Sequence, residues 1–270
     1  MEPFEVLAEE AGRLPSVPLT PELARHYGGD LGLAEDCLYA NFVATLDGVV
    51  AIPGLPNSNA VIADHSDADR FLMGLLRAVA DAVLIGAGVL RASPKGTWRA
   101  EQIHPPAAAT YAELRASLGL PEAPEVAILT GSGSIDPGHP VLAGRAVILT
   151  SDGGAERLAG KVPDTAIVLS LGAETRFDGT QVVAALRARG HRRILSEAGP
   201  HTFGALLEAR EVDDLFLTMS PLLAGEAGVG SRVRLVEGAD LVPLVGSGLV
   251  SLRRHGAHLF ARYTPRPGRD

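Results

Sequence analysis

The sequence predicts an α/β protein built on a mostly parallel central sheet flanked by helices, with an antiparallel hairpin at its C-terminal end. Three observations carry that reading. Short apolar runs without polar interruption recur along the chain, segments of helical periodicity lie between them, and two strand-like runs close around a tight turn near the end. Uninterrupted apolar runs suit strands covered on both faces, as in a parallel sheet sandwiched by helices. With 270 residues, the chain can form one large domain with a substantial core.

Residues 1–36 carry Pro15, Pro18 and Pro21 with weak periodicity and read as an N-terminal extension packed on a domain of residues 37–265, with 266–270 as a tail. Strands are expected at Leu38–Ala44, Ala82–Ile85, Val126–Thr130, Ala146–Thr150, Ala166–Ser170, Arg193–Ser196 and Leu215–Met219. A helix begins after Ser66, whose hydroxyl can cap its first turn while Asp67 and Asp69 sit near the positive end of the helix dipole. Phe71, Leu72, Leu75, Leu76 and Val79 give that helix a buried stripe. Between Pro94 and Pro124 the Ala- and Pro-rich chain reads as a surface insertion with one helix around Tyr111–Leu118. A further helix spans Thr180–Arg189 and stops at Gly190. Leu249–Arg253 and His258–Tyr263 form the terminal hairpin.

Apolar residues make up 46% and charged residues 21% of the chain, the composition of a folded protein. Its 32 acidic and 24 basic residues leave a net charge of −8, which argues against a nucleic-acid partner. The single cysteine, Cys37, cannot close an internal disulfide, and Glu2, Glu5, Glu9 and Glu10 stand where a secretory signal needs basic and apolar residues. A cytoplasmic protein is expected. Every apolar stretch is cut short of the roughly 18–20 residues a membrane helix requires, so no membrane partner is expected. The histidines are scattered, Asp64–Asp69 lacks the later Glu of a calcium loop, and no G-x-S-x-G elbow occurs. Metal and serine-hydrolase chemistry therefore have no anchor.

Three strand ends run into glycine turns. Ala82–Arg91 passes through Gly86-Ala87-Gly88-Val89, where backbone N–H groups can approach a phosphate, although Arg91 replaces the third glycine of a dinucleotide fingerprint and a plain tight turn is the alternative. Ile194–Leu207 passes through Glu197, Gly199, Pro200, His201, Thr202, Phe203 and Gly204, and the two turns together suit one pyrophosphate. Thr130, Gly131, Ser132 and Ser134 offer hydroxyls and N–H groups for an adenosine 2′-phosphate, or form an ordinary solvated turn. Asp47 follows the first domain strand as a carboxylate for the ligand edge or as a simple turn residue. Arg70 and Arg77 share a helix face and can clamp a substrate phosphate or stay solvated.

Taken together, Thr45–Gly48, Leu75–Gly88, Glu197–Pro200, Ala205–Glu208, Val212–Leu215 and Ser220–Gly225 resemble the riboflavin-biosynthesis pyrimidine reductases. These are similar to the C-terminal domain of the bifunctional RibD deaminase-reductases and, in fold, to dihydrofolate reductase. The resemblance covers about residues 38–264 and implies an NADPH-dependent reductase domain over 37–265, acting on a phosphorylated ribosylaminopyrimidine. It implies Asp47 and Glu197 at the reacting centre, with Arg77 on the substrate phosphate and Arg70 and Ser58 as further substrate residues. Gly86, Ala87, Gly88, Val89 and Ser93, with Gly199 through Gly204, would hold the cofactor's phosphates and nicotinamide half. Thr130, Gly131 and Ser132 would approach its adenosine end. Val89 and His201 stand where the family often has Thr. The zinc deaminase signature, H-x-E with P-C-x-x-C, does not occur in the chain. A homodimer is also implied, with Leu215–Leu223 as an apolar surface for it. Pterin reduction and non-catalytic nucleotide binding remain as alternatives.

Overall fold

In the computed structural model, which describes residues 1–10, 17–226, 228, 230 and 232–266, each apolar run read from the sequence is a strand or part of one. The elements in order are β1 (Glu5–Glu9), α1 (Pro21–Tyr27), β2 (Cys37–Ala44), β3 (Val49–Ala51), α2 (Ser58–Ile62), α3 (Asp67–Val79), β4 (Ala82–Gly86), α4 (Ala87–Ala92), α5 (Ala100–Ile103) and α6 (Ala108–Ser117). They continue with β5 (Glu125–Thr130), β6 (Ala146–Thr150), α7 (Asp152–Leu158), β7 (Ala166–Ser170), α8 (Gly179–Ala188), β8 (Arg193–Ser196), α9 (Pro200–Glu208), β9 (Asp214–Met219), β10 (Val233–Arg234), β11 (Gly246–His255) and β12 (His258–Arg266). Pro15 and the tail from 267 lie outside the described residues.

Ten strands form one sheet in the order β1-β11-β12-β9-β2-β8-β4-β5-β6-β7. From β9 to β7 neighbouring strands are parallel, and β12, β11 and β1 extend the sheet antiparallel. Residue alternation divides the core between the two faces. Tyr39, Val83, Ile85 and Leu195 meet the α3 side, while Leu38, Ala40, Leu84 and Ile194 meet the α8 and α9 side. Burial on both faces is the physical reason these strands read as continuous apolar runs.

The order of strands positions the site. From β2 the chain leaves a gap, builds β4 through β7 outward, then returns to insert β8 between β2 and β4 before adding β9 on the far side of β2. The strand order reverses at β8, and open α/β sheets bind ligands at the carboxyl ends beside such a reversal.

The N-terminal segment is more than a packed extension. Its β1 pairs with β11, and Phe4, Val17, Leu23, Tyr27, Leu31 and Leu33 are buried in the core. Arg253 on β11 is fully buried against it: Nε donates to the Tyr27 carbonyl at 2.8 Å, Nη2 meets Glu9 at 3.0 Å, and the guanidinium lies 4.0 Å from the Tyr27 ring centroid. The expected dimer surface at Leu215–Leu223 is also corrected. β9 is paired on both sides with Leu215 and Phe216 buried, leaving Leu223 as the strongly exposed apolar side chain of that segment.

Candidate active site at the carboxyl edge

β8 ends at Ser196, and the next residue, Glu197, donates its backbone N–H to the Leu84 carbonyl at 2.9 Å, which fastens the turn to β4. The Glu197 carboxylate receives Arg77 from α3 as a two-pronged pair, Nε to Oε1 at 2.8 Å and Nη2 to Oε2 at 2.6 Å. Their side chains are 7% and 8% exposed for Arg77 and Glu197. A planar fork on a carboxylate fixes both partners, so this strand end is rigid. Arg77 is thus engaged by Glu197, in contrast to the free phosphate clamp expected from the helix face, and its partner lies 120 positions away in the chain.

Asp69, also on α3, is 5% exposed. Burial pushes its carboxyl up to about 6 and the Glu197 charge acts in the same direction, while the Thr218 hydroxyl, His258 and Arg70 favour the charged form. Arg70 itself turns outward to Asp67, Nη2 to Oδ1 at 3.2 Å, and keeps 40% of its side chain exposed. The two arginines therefore have different surroundings despite their shared spacing. Ser58 opens α2, which packs over β2 and β3, and is partly exposed.

The first two glycine turns lie side by side. A Cβ on Gly86 would sit 3.9 Å from the Thr202 hydroxyl, which places the starts of α4 and α9 next to one another. Around Gly88 and Gly199 a Cβ would meet nothing within 4 Å, so the backbone here is open to an incoming group. Ala87 and Pro200 begin the two helices, half-buried beside this opening, and Ser93 ends α4 with its carbonyl 3.0 Å from His139 Nε2. The remaining expected cofactor residues point elsewhere. Val89 packs on the core, and Phe203 is buried against Phe42 with ring centroids 4.8 Å apart. A Cβ on Gly204 would meet the Glu237 carbonyl at 2.8 Å, and the His201 ring lies against Gly238. These departures share a cause. Alternate faces of a nine-residue helix must cover the core and the 236–239 loop, leaving its first turn for a ligand.

At the third turn the glycines do a different job. A Cβ on Gly131 would run into the Thr175 carbonyl, and Gly133, at φ +66°, packs on the Gly154 backbone. Thr130 is buried, whereas Ser132 is exposed. Two exposed arginines flank the turn: Arg157 Nε donates to the Ser132 carbonyl at 2.9 Å and Arg91 Nη1 to the Ser134 carbonyl at 3.4 Å.

Asp47 is exposed and fully engaged as an acceptor. It receives the Thr45 hydroxyl at 2.5 Å and the backbone N–H groups of Ala224 at 3.1 Å and Gly225 at 2.7 Å. These bonds hold its carboxyl down to about 2. A carboxylate so held ties the β2–β3 turn to the 220–225 loop and is a poor proton donor near neutrality.

A family profile described as the RibD C-terminal domain matches residues 37–245. The chain belongs to this family. Among solved structures, a pyrimidine reductase-like protein of Corynebacterium diphtheriae is similar at 22% identity and TM-score 0.67, over 87% of this chain and 93% of that one. RibD of Acinetobacter baumannii is similar at 17% identity and TM-score 0.61, over 90% of this chain and 60% of its own length. The riboflavin biosynthesis reductase of Saccharomyces cerevisiae follows the same fold at 12% identity and TM-score 0.58, over 91% and 99% of the two chains. No curated protein matches the chain.

In this RibD-type domain, sequence reasoning did not mark Asp69, Thr218, Arg91 or Arg157 as site residues. Asp69 reads locally as a helix-start acid and Thr218 as a strand residue, so nothing short of the tertiary fold joins them. The two arginines could have been sought as cations near the third turn, since Arg91 lies only a few residues beyond the first. Among the described residues no helix is long and apolar enough to cross a membrane, and no group of three or more His, Cys, Asp and Glu could hold a metal ion.

Proposed function

We propose that the chain is an NADPH-dependent reductase that acts on a phosphorylated ribosylaminopyrimidine of riboflavin biosynthesis. The observation that carries this reading is the strand reversal, where a buried, paired carboxylate, Glu197, stands beside two glycine turns whose backbone is open. Membership of the RibD C-terminal domain family supports it, as do structural relatives described as pyrimidine reductase-like and riboflavin biosynthesis reductase.

The residues present fit a dinucleotide. Gly88 and Gly199 leave room where side chains would block the approach of phosphates, and Thr202 offers a hydroxyl beside Gly86. Arg91 and Arg157 supply positive charge at the 132–134 turn, which favours the extra phosphate of NADPH over NADH. When bound, the nicotinamide would supply the hydride that reduces the ribosyl C1′ carbon and opens the sugar to a ribityl chain. The chain's own share is to bind and orient. Glu197, held by Arg77, would accept hydrogen bonds from substrate through its remaining lone pairs, while Arg70, with its exposed guanidinium on α3, would take the phosphate role first read for Arg77. Asp47 shapes the rim through the 220–225 loop. We assign the working form as a cytoplasmic homodimer.

The test is a panel of NADPH and NADH with phosphorylated and dephosphorylated aminopyrimidines and a dihydropterin, followed at the nicotinamide absorbance. Turnover of the phosphorylated pyrimidine with NADPH is expected. Arg70→Ala should raise its KM roughly tenfold, the loss of one charge-assisted hydrogen bond. Turnover of the pterin alone would replace this reading.

A further inference from the structure

The β11–β12 hairpin presents Ser251, Arg253, Phe260 and Arg262 on one face, because Ser251 pairs with Arg262 and Arg253 with Phe260, and alternate residues of a strand share a side. With Phe216 of β9 and Tyr27 of α1 they line a small cavity that has room for about one water-sized body. The two guanidiniums there are paired differently. Arg262 is matched by the buried Asp214, Nε to Oδ1 at 2.9 Å and Nη2 to Oδ2 at 2.8 Å, and its Nη2 also donates to the Gly32 carbonyl at 2.7 Å. Arg253 finds only Glu9, a carboxylate 42% exposed, and the carbonyls of Tyr27 and Gly28. Its Nη1 is buried and has no hydrogen-bond partner among the described residues.

We propose that this cavity is a binding site for one halide-sized monovalent anion, chloride above all, which accepts from Arg253 Nη1 with Arg262 and the Ser251 hydroxyl beside it. Hydrogen-bond chemistry favours an anion over water. Guanidinium groups donate and never accept, so two of them around one cavity suit a group that only accepts, whereas a buried water must also place its own two protons. The charges agree. Asp214 cancels Arg262, Glu9 is partly solvated and attracts Arg253 weakly, and burial raises the pKa of the Tyr27 phenol, which keeps it protonated. Phosphate, sulfate and carboxylates are too large for the space. Arg253 also holds Tyr27 and Gly28 of the N-terminal segment to the hairpin, so an anion that balances its charge adds to the stability of the folded chain. None of these groups takes part in the proposed reductase site.

The experiment follows the thermal unfolding midpoint of the full chain while sodium chloride replaces sodium gluconate at constant ionic strength, for the wild type and Arg253→Met. Gluconate is too large for the cavity, and subtracting the variant's response removes the general effect of exchanging the salts. The wild-type midpoint is expected to rise by about 3 °C relative to the variant once chloride reaches about ten times its dissociation constant. Equal responses of the two proteins overturn the proposal. Wild-type crystals grown in bromide give a second reading that stands even if Arg253→Met does not fold. An anomalous bromine peak against Arg253 Nη1 is expected; a water molecule there, or no anomalous signal, overturns the proposal.

Discussion

The ends of β8 and β5 look alike in sequence and work in opposite ways. Ser196-Glu197-Ala198-Gly199 and Thr130-Gly131-Ser132-Gly133 each take an apolar strand into polar residues and glycine. At β5 the space of the missing Cβ atoms is filled by the protein itself, with the Thr175 carbonyl where the Gly131 Cβ would stand. At β8 nothing lies within 4 Å of where the Gly199 Cβ would stand, and rigidity comes from the Arg77–Glu197 pair. A glycine after a strand announces an absent side chain. Whether a ligand or the chain's own backbone uses the space is decided by segments far away in sequence.

The largest expected effect breaks the β8 end. Arg77→Ala leaves the Glu197 carboxylate buried without its partner and should cost about 3–5 kcal/mol of unfolding free energy. Urea unfolding of the variant and the wild type measures it. A loss under about 1 kcal/mol would mean that the pair is not what holds this strand end.

At the β5 end the corresponding change is Gly131→Ala. Its methyl would press on a backbone carbonyl, which cannot rotate aside as a flexible side chain can, so the 173–176 segment must shift. Overpacking of this kind costs about 2–3 kcal/mol, and the midpoint of thermal unfolding should fall accordingly. A silent substitution would mean that the turn is loose, and that its glycines are as available to a ligand as those at β8.

An effect of similar size comes from the buried carboxyl of Asp69. Asp69 stands near 6 in the folded chain against about 4 in an unfolded one. A raised value means that the folded state holds the proton more tightly, so the contribution to stability is complete below about pH 4 and is lost as the pH rises through 6. Two units correspond to roughly 2–3 kcal/mol. Asp69→Asn should remove that slope from the unfolding free energy measured between pH 4 and pH 7. A wild-type curve already flat over this interval would show that Asp69 is not shielded as its burial implies.

The contrast also explains what could be read in advance. Strands buried on both faces announce themselves residue by residue, which is why β2, β4 to β9 and the hairpin were legible to within a few positions. β1 was not, because its five residues gain strand character only by pairing with β11 at the other end of the chain. The two-residue β10 has the same difficulty against β3. Within the site, Glu197 and the two open turns were legible from the strand-to-glycine pattern. The engagement of Arg77, the burial of Asp69 and the latch made by Asp47 depend on partners 120 or more positions away or on packing alone, and local spacing carries no trace of them.

The smallest expected effect on stability is also the sharpest test of the contrast. Gly88 lies in the first turn of α4, where alanine is the better helix former, and Gly199 at φ −68° and ψ 170° has a backbone conformation open to any residue. Neither methyl would meet a neighbour within 4 Å. Gly88→Ala and Gly199→Ala should therefore change the unfolding free energy by less than about 1 kcal/mol, with Gly88→Ala on the stabilising side. Their cost should fall on the ligand. A methyl in the opening keeps phosphate oxygens from the backbone N–H groups, and the loss of one such charge-assisted bond weakens NADPH binding roughly tenfold or more. Unfolding and NADPH titration on the same preparations separate the two ends of the sheet: Gly131→Ala should lose stability, and the β4 and β8 variants should lose affinity while remaining as stable as the wild type. If Gly88→Ala and Gly199→Ala bind NADPH with unchanged affinity, the open backbone is not the phosphate cradle, and the flanking arginines at the third turn become the place to look for it.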